Sequence, residues 1–147
     1  MSARSVAATA VLLAAACALD LALPRVDAER RLAEEVLGEC ERVDVEGLAA
    51  YRSGDRALLF FEGRGTQGPI RGTIELEGER IREVRLHVAR EGVDRTALQR
   101  ANAAGSFGGR IAAPPVAIPA VTGATVSTQA LVDAVNRRLK EWRELRR

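Results

Sequence analysis

Histidine, cysteine, lysine and aromatic side chains are all scarce in this chain, and each shortage closes a route to function. His87 is the single histidine. A Ser–His–Asp or Cys–His relay would have to be built on it, and no convincing partner stands near it in sequence. It reads as a half-exposed strand residue rather than a ligand. Cys17 and Cys40 are the two cysteines, with no CxxC and no Cys/His cluster. A zinc or iron–sulfur site made by this chain alone is therefore not expected. Cys17 lies in an apolar run and Cys40 in "GECER", which argues against a disulfide between them. Aromatics make up only 3% of the chain against 47% apolar residues overall, so the core must be Leu, Val, Ile and Ala. Lys140 is the one lysine, so the basic balance comes from arginine. Most arginines alternate with acids ("AERRLAEE", "EGERIREVR"), the pattern of solvated faces and surface ion pairs. No basic stripe is interleaved with aromatics, which points away from nucleic acid. The glycine loops "GRGTQG" and "GSFGGR" lack the Lys-Ser/Thr of a phosphate loop and the strand-to-helix setting of a dinucleotide fingerprint, and read as turns. The many carboxylates sit in charged faces, and none stands out as an acid/base pair.

What remains fits one domain of ordinary size with a short appendage, since the chain has 147 residues and a net charge of +2. The appendage is N-terminal. Ser5 to Leu23, "SVAATAVLLAAACALDLAL", is long enough to span a bilayer, and Asp20 interrupts it only near one end. Arg4 ahead of the run also fits a cleaved signal peptide, and a buried helix or lipoprotein signal is a third reading. We take a retained single-span anchor as the expectation. Residues 1–26 then form an anchor or signal segment and 27–147 the folded domain. Arg25, Arg30 and Arg31 outnumber Arg4, which mildly opposes export, although the charge rule is weak ahead of a long domain.

Within the domain, Asp27 can cap a helix over "AERRLAEEVLGECERV", with Leu32, Val36 and Leu37 on one face. Ala57 to Phe61, "ALLFF", suits a buried strand, and "EGRGTQGP" a loop. Ile70, Ile74 and Leu76 share one face of a strand, with Arg71, Thr73 and Glu75 opposite. A turn at Glu77-Gly78-Glu79 leads to Ile81–Val88, with Val84, Leu86 and Val88 on one face. "DRTALQRANAA" reads as a short helix capped by Asp94, and "IAAPPVAIP" as extended chain. A last helix is expected from about Ser127, with Leu131, Ala134, Val135, Leu139, Trp142 and Leu145 inward and basic residues crowding its C-terminal half. The fold class is α+β, a small antiparallel sheet with packed helices.

The stretch before that helix, "VTGATVST", has an unusual density of small and hydroxyl residues. Gly123 permits close backbone approach and Ala124 keeps the site narrow. Thr125 presents a hydroxyl where the unpaired N–H groups and positive dipole of a helix start favour phosphate. A doubled cap, Thr125 or Ser127 with no ligand, explains the same residues, and the two readings stay open on this evidence.

Thr122-Gly123-Ala124-Thr125, followed by Val126-Ser127-Thr128 and "ALVDAV", resembles the signature of the FMN-binding domain family. That family includes the G subunit of the Rnf electron-transport complex and the C subunit of the sodium-pumping NADH:quinone oxidoreductase. "GTQGPIRGTIELEGERIREVRLHVAREG" and "FGGR" are similar to the family's glycine loop, hairpin and pre-signature segment, so the likeness runs roughly from Gly63 to Val135. It implies FMN as cofactor, joined by a phosphoester to Thr125 through a separate flavin transferase. Thr122, Gly123 and Ala124 would then line the cofactor, with Ser127 or Thr128 capping the helix beneath it. It also implies an electron-transfer subunit of a membrane redox complex, not a stand-alone enzyme, with its domain outside the cytoplasm. Pro119 stands where the family has Asp, and Glu91-Gly92 stands where it has Glu-Thr-Pro-Gly. The alternative is the same fold holding FMN noncovalently, or serving as an assembly subunit without it. An unrelated envelope protein docking through its basic C-terminal helix is the third reading.

Overall fold

The computed structural model describes residues 26–45, 48–65, 68–89, 98–99, 102–119 and 125–146. A helix over residues 26–37 (α1) precedes five strands. These are β1 (Glu41–Val45), β2 (Leu48–Ser53), β3 (Arg56–Arg64), β4 (Pro69–Glu77) and β5 (Arg80–Ala89). They form one antiparallel sheet in the order β1-β2-β3-β4-β5. A 3-10 turn at Gly105–Phe107 and a long helix α2 (Thr125–Leu145) complete the domain. The α+β expectation holds. Among the described residues no helix is long and apolar enough to cross a membrane. The expected anchor or signal, residues 1–25, lies outside them, as does Asp94.

Both sheet faces are covered, which is why the strands bury residues of both parities. On one face Leu59, Phe61, Ile70, Ile74, Leu76, Ile81 and Val84 pack with Leu131, Val135, Leu139 and Trp142 of α2. On the other, Ala49, Tyr51 and Leu58 meet Ala33 and Leu37 of α1. The inward face of α2 matches expectation through Trp142, whereas Leu145 is half exposed at the fraying end. Arg138 was not expected inside. It is buried in mid-helix, where its guanidinium donates to the Ala49 carbonyl at 3.0 Å and to Glu141 Oε2 at 3.0 Å.

Four local departures have physical causes. The first helix was expected to run from Ala28 to Val43. It stops at residue 37 because Gly38 takes φ +79°, a left-handed turn that glycine adopts without a Cβ clash, and donates its N–H to the Glu34 carbonyl at 2.9 Å. The remainder, from Glu41, pairs as β1 with β2. Asp27 does not cap that helix, which is already formed at residue 26. The expected loop Glu62–Pro69 shrinks to residues 65–68, because Glu62, Gly63 and Arg64 pair with Arg71, Ile70 and Pro69. On β5 strict alternation fails. The register shifts between Glu75 and Leu76 and between Arg71 and Gly72, so Arg82 and His87 are extra residues opposite β4. The first bulge is what turns Ile81 and Val84 to the same face despite opposite parity.

The α1 face carries the buried polar groups. Glu75 is 6% exposed and accepts from Arg56 at 2.8 Å and Arg82 at 3.1 Å. Arg56 also donates to the Val36 carbonyl at 2.8 Å, which ties the last turn of α1 to the sheet. Removing one partner of such a pair leaves a buried charge without compensation. Nearby, Thr73 Oγ1 and His87 Nε2 are 2.9 Å apart.

Two consequences can be measured. Burial, and then the neighbouring Arg85 cation, lower the His87 pKa from its ordinary 6.5. The unfolded chain therefore takes up a proton first as pH falls. The fold keeps its full stability above pH 6.5 and loses part of it as pH drops below. Urea unfolding at pH 7.5 and 5.5 should show this loss in the wild type and a smaller one in His87→Gln. Second, Asn136 of α2 clamps the extended segment before the signature. Its Oδ1 accepts from Val116 N–H at 2.7 Å and its Nδ2 donates to the Val116 carbonyl at 2.9 Å. Asn136→Leu strands both backbone groups and should cost about 2–3 kcal/mol in urea unfolding.

Candidate functional site

The amino-terminal turn of α2 gathers the residues that the sequence singles out and the structure describes. Thr125 is its first described residue and is exposed, as is Val126. Ser127 and Thr128 are buried, at 1% and 4% exposure. The helix is already formed at Thr125, two residues before the expected Ser127, so neither Ser127 nor Thr128 caps it. They turn inward because helical spacing aligns them with Leu131, Ala134 and Val135, which face the sheet. Thr122, Gly123 and Ala124 lie outside the described residues, as do Glu91 and Gly92.

Three contacts fix where this turn sits. Gly63, near the end of β3, lies directly under α2. A Cβ there would fall 2.9 Å from the Ala134 Cβ and 3.0 Å from the Ala130 carbonyl oxygen. Only a glycine lets the helix approach this closely. Arg137 Nη2 donates to the Glu62 carbonyl at 2.6 Å, next to that contact. The Asn136 clamp then holds Val116 beside the middle of α2. Thr125 is 11 residues upstream of Asn136, so the chain climbs about 16 Å along the helix to reach its start.

The electrostatics at this turn suit an anion. The first turn of α2 contains no acidic residue, while Arg143 stands in its last turn. The nearest acid along the helix, Asp133, accepts from Gln129 at 2.8 Å and is two turns further on. The first N–H groups and the positive end of the dipole thus meet no carboxylate from the helix itself. In the same turn Thr128 Oγ1 is fully enclosed and has no hydrogen-bond partner among the described residues. A phosphorylated ligand fits the exposed side of this turn: an accessible Thr125 hydroxyl and an unopposed positive helix end.

The other candidates do not converge here. His87 is on β5 against Thr73, on the α1 side of the sheet. Cys40 is a free, partly exposed thiol before β1 whose pKa is raised by burial. Among the described residues no cluster of three His, Cys, Asp or Glu could hold a metal ion. Sequence reasoning missed Gly63 and Asn136 as positioning residues. Gly63 was hidden in the glycine-rich stretch "EGRGTQGP", which reads as a loop; only its pairing with Ile70 makes it a strand glycine that marks close backbone approach. Asn136 carried no signal, being one polar residue on a largely polar helix flank.

Comparison with known proteins bears on the same segment. No curated protein matches the chain significantly. A family model, the FMN-binding domain, matches residues 65–140, from the loop after β3 through the signature and most of α2. With that match over half of its length, the chain belongs to the FMN-binding domain family, and FMN is its cofactor.

Proposed function

We propose that this flavoprotein carries electrons as a membrane-anchored subunit of a redox complex, through FMN esterified at its phosphate to Thr125 Oγ1. The observation that carries the attachment is the exposed Thr125 hydroxyl at the start of a 21-residue helix whose first turn has no acid. A phosphodiester there keeps one negative charge at the positive helix end, worth roughly 0.5–1 kcal/mol. Thr122, Gly123 and Ala124, outside the described residues, complete the signature in sequence, and Ser127 and Thr128 follow it in the first turn of the helix. When bound, FMN supplies the electron transfer, while the chain fixes its position and surroundings. A groove of about 410 Å³ beside Gly63, Arg64, Ala130 and Arg137 offers an open bed for a ring tethered one to two turns away. Partners on this reading are a flavin transferase for maturation and the other subunits of a complex at the cell membrane. Ser5 to Leu23 would be the anchor, with the domain on the extracytoplasmic side.

A second reading rests on Pro119, exposed six residues before Thr125, where the family signature has Asp. If the transferase requires that carboxylate, the same site holds FMN noncovalently.

Co-expression of the full chain with a flavin transferase, followed by denaturing electrophoresis, separates the two. Covalent attachment predicts flavin fluorescence retained on the protein band and lost in Thr125→Val. Fluorescence that survives the substitution refutes the Thr125 ester. Yellow native protein that loses all flavin on denaturation supports noncovalent binding.

A further inference from the structure

We propose that the end of the domain remote from Thr125 is a docking surface for an acidic segment of a partner protein, held by Arg143 and Arg146 beside apolar contacts. Thr125 and Leu145 stand about 30 Å apart along α2, so a partner seated here leaves the Thr125 turn open. Pieces of chain fixed by backbone bonds build this end. At the β4–β5 turn, Gly78 N–H donates to the Asp55 carbonyl of the β2–β3 turn at 2.9 Å. Residues 110–112 run beside the start of β5, where Ile81 N–H donates to the Arg110 carbonyl and Ala112 N–H to the Glu79 carbonyl, both at 2.8 Å. Between these pieces and the end of α2 lie two small cavities. One, of about 60 Å³, has Leu76, Glu79, Ile111, Trp142, Arg143 and Arg146 in its walls. The other, of about 50 Å³, shares Leu76, Trp142 and Arg146 and adds Arg52, Asp55 and Arg56.

Four arginines and two acids thus line the pair of cavities. Arg52 and Arg56 already have carboxylate partners, Glu41 and Glu75. Arg143 and Arg146 are exposed and have none among the described residues. Their planar forks suit carboxylates, which they bind through paired hydrogen bonds. Ile111 and Leu145, at 58% and 50% exposure, are two of the three large hydrophobics exposed among the described residues, and both stand at this end. An occupant that answers both features carries acids interleaved with apolar side chains. Each cavity takes a side-chain tip rather than a lipid headgroup, and its walls are held in place beforehand, which favours a protein segment over a bilayer.

The test is fluorescence anisotropy of a labelled synthetic peptide of glutamate, serine and leucine, titrated with the full-length chain in neutral detergent micelles. The wild type should bind it, and should not bind the same peptide with glutamine for glutamate. The double variant Arg143→Ser/Arg146→Ser should raise Kd about tenfold, and Ile111→Ser about threefold without any change of charge. Arg30→Ser/Arg31→Ser removes the same charge from α1 and should change Kd by less than about twofold. All five positions are exposed, so each variant should melt within about 2 °C of the wild type. No binding by the wild type, or equal weakening by the two double variants, would overturn the proposal. Displacement of the peptide by phosphatidylglycerol added to the micelles would overturn it as well, by assigning the surface to the membrane.

Discussion

The close packing of α2 on β3 at Gly63 governs where the amino-terminal turn of α2, with Thr125, is held. With 2.9 Å left between a hypothetical Cβ and Ala134, and 3.0 Å to the Ala130 carbonyl, helix and strand are nearly in backbone contact. Ala130 and Ala134 are the small residues that make the approach possible from the helix side. Interiors packed this densely transmit displacement rather than absorb it. A side chain at position 63 would therefore lift the amino-terminal half of α2, and the Thr125 turn would move with it. Arg137 on the Glu62 carbonyl and Asn136 on Val116 reinforce the same placement with directional bonds.

The two faces of the sheet use different physics. The α2 face is aliphatic with a few aromatics, Phe61, Phe107 and Trp142, and its specificity comes from shape. The α1 face has a smaller apolar cluster, so its register is fixed by charge: Glu75 between Arg56 and Arg82, with Arg56 reaching the end of α1. Buried pairs of this kind add little net stability but penalise misplacement heavily. The Thr125 turn is on the shape-specified face, and the ionic network lies across the sheet from it.

Much of this was legible in the sequence, and what was not has identifiable causes. The β4–β5 hairpin and the inward face of α2 follow from period-2 and period-3.6 patterns over long runs. β1 and β2 gave no such signal. They are five and six residues long, and "ERVDV" continues the charged rhythm of the helix before it. Gly38 was the stop signal in that stretch. The bulges at Arg82 and His87 were invisible because they depend on pairing with β4, not on local composition. The site was legible only through a motif. Thr125, Ser127 and Thr128 look alike in sequence, yet one is exposed and two are buried. That difference is set by the phase of a helix that is already formed two residues before the expected Ser127.

The beginning of α2 departs from rules that the chain obeys elsewhere. α1 ends on a left-handed glycine, α2 closes with Arg143 at its negative end, and buried Glu75 has two cationic partners. At the start of α2, by contrast, the positive end meets no acid from its own first turn and a buried hydroxyl goes unpaired. Tyr51 Oη and Arg56 Nε also lack partners among the described residues, both on the α1 side of the sheet. The unopposed helix end is worth roughly 0.5–1 kcal/mol and the unpaired hydroxyl about 1–3 kcal/mol, which selection for stability alone would not leave together in one turn. An anionic ligand would relieve the unopposed helix end, and FMN, the cofactor of this family, brings such a group in its phosphate. Local disagreement with folding rules is expected where a fold has been shaped to bind. Here it falls on the turn that carries Thr125.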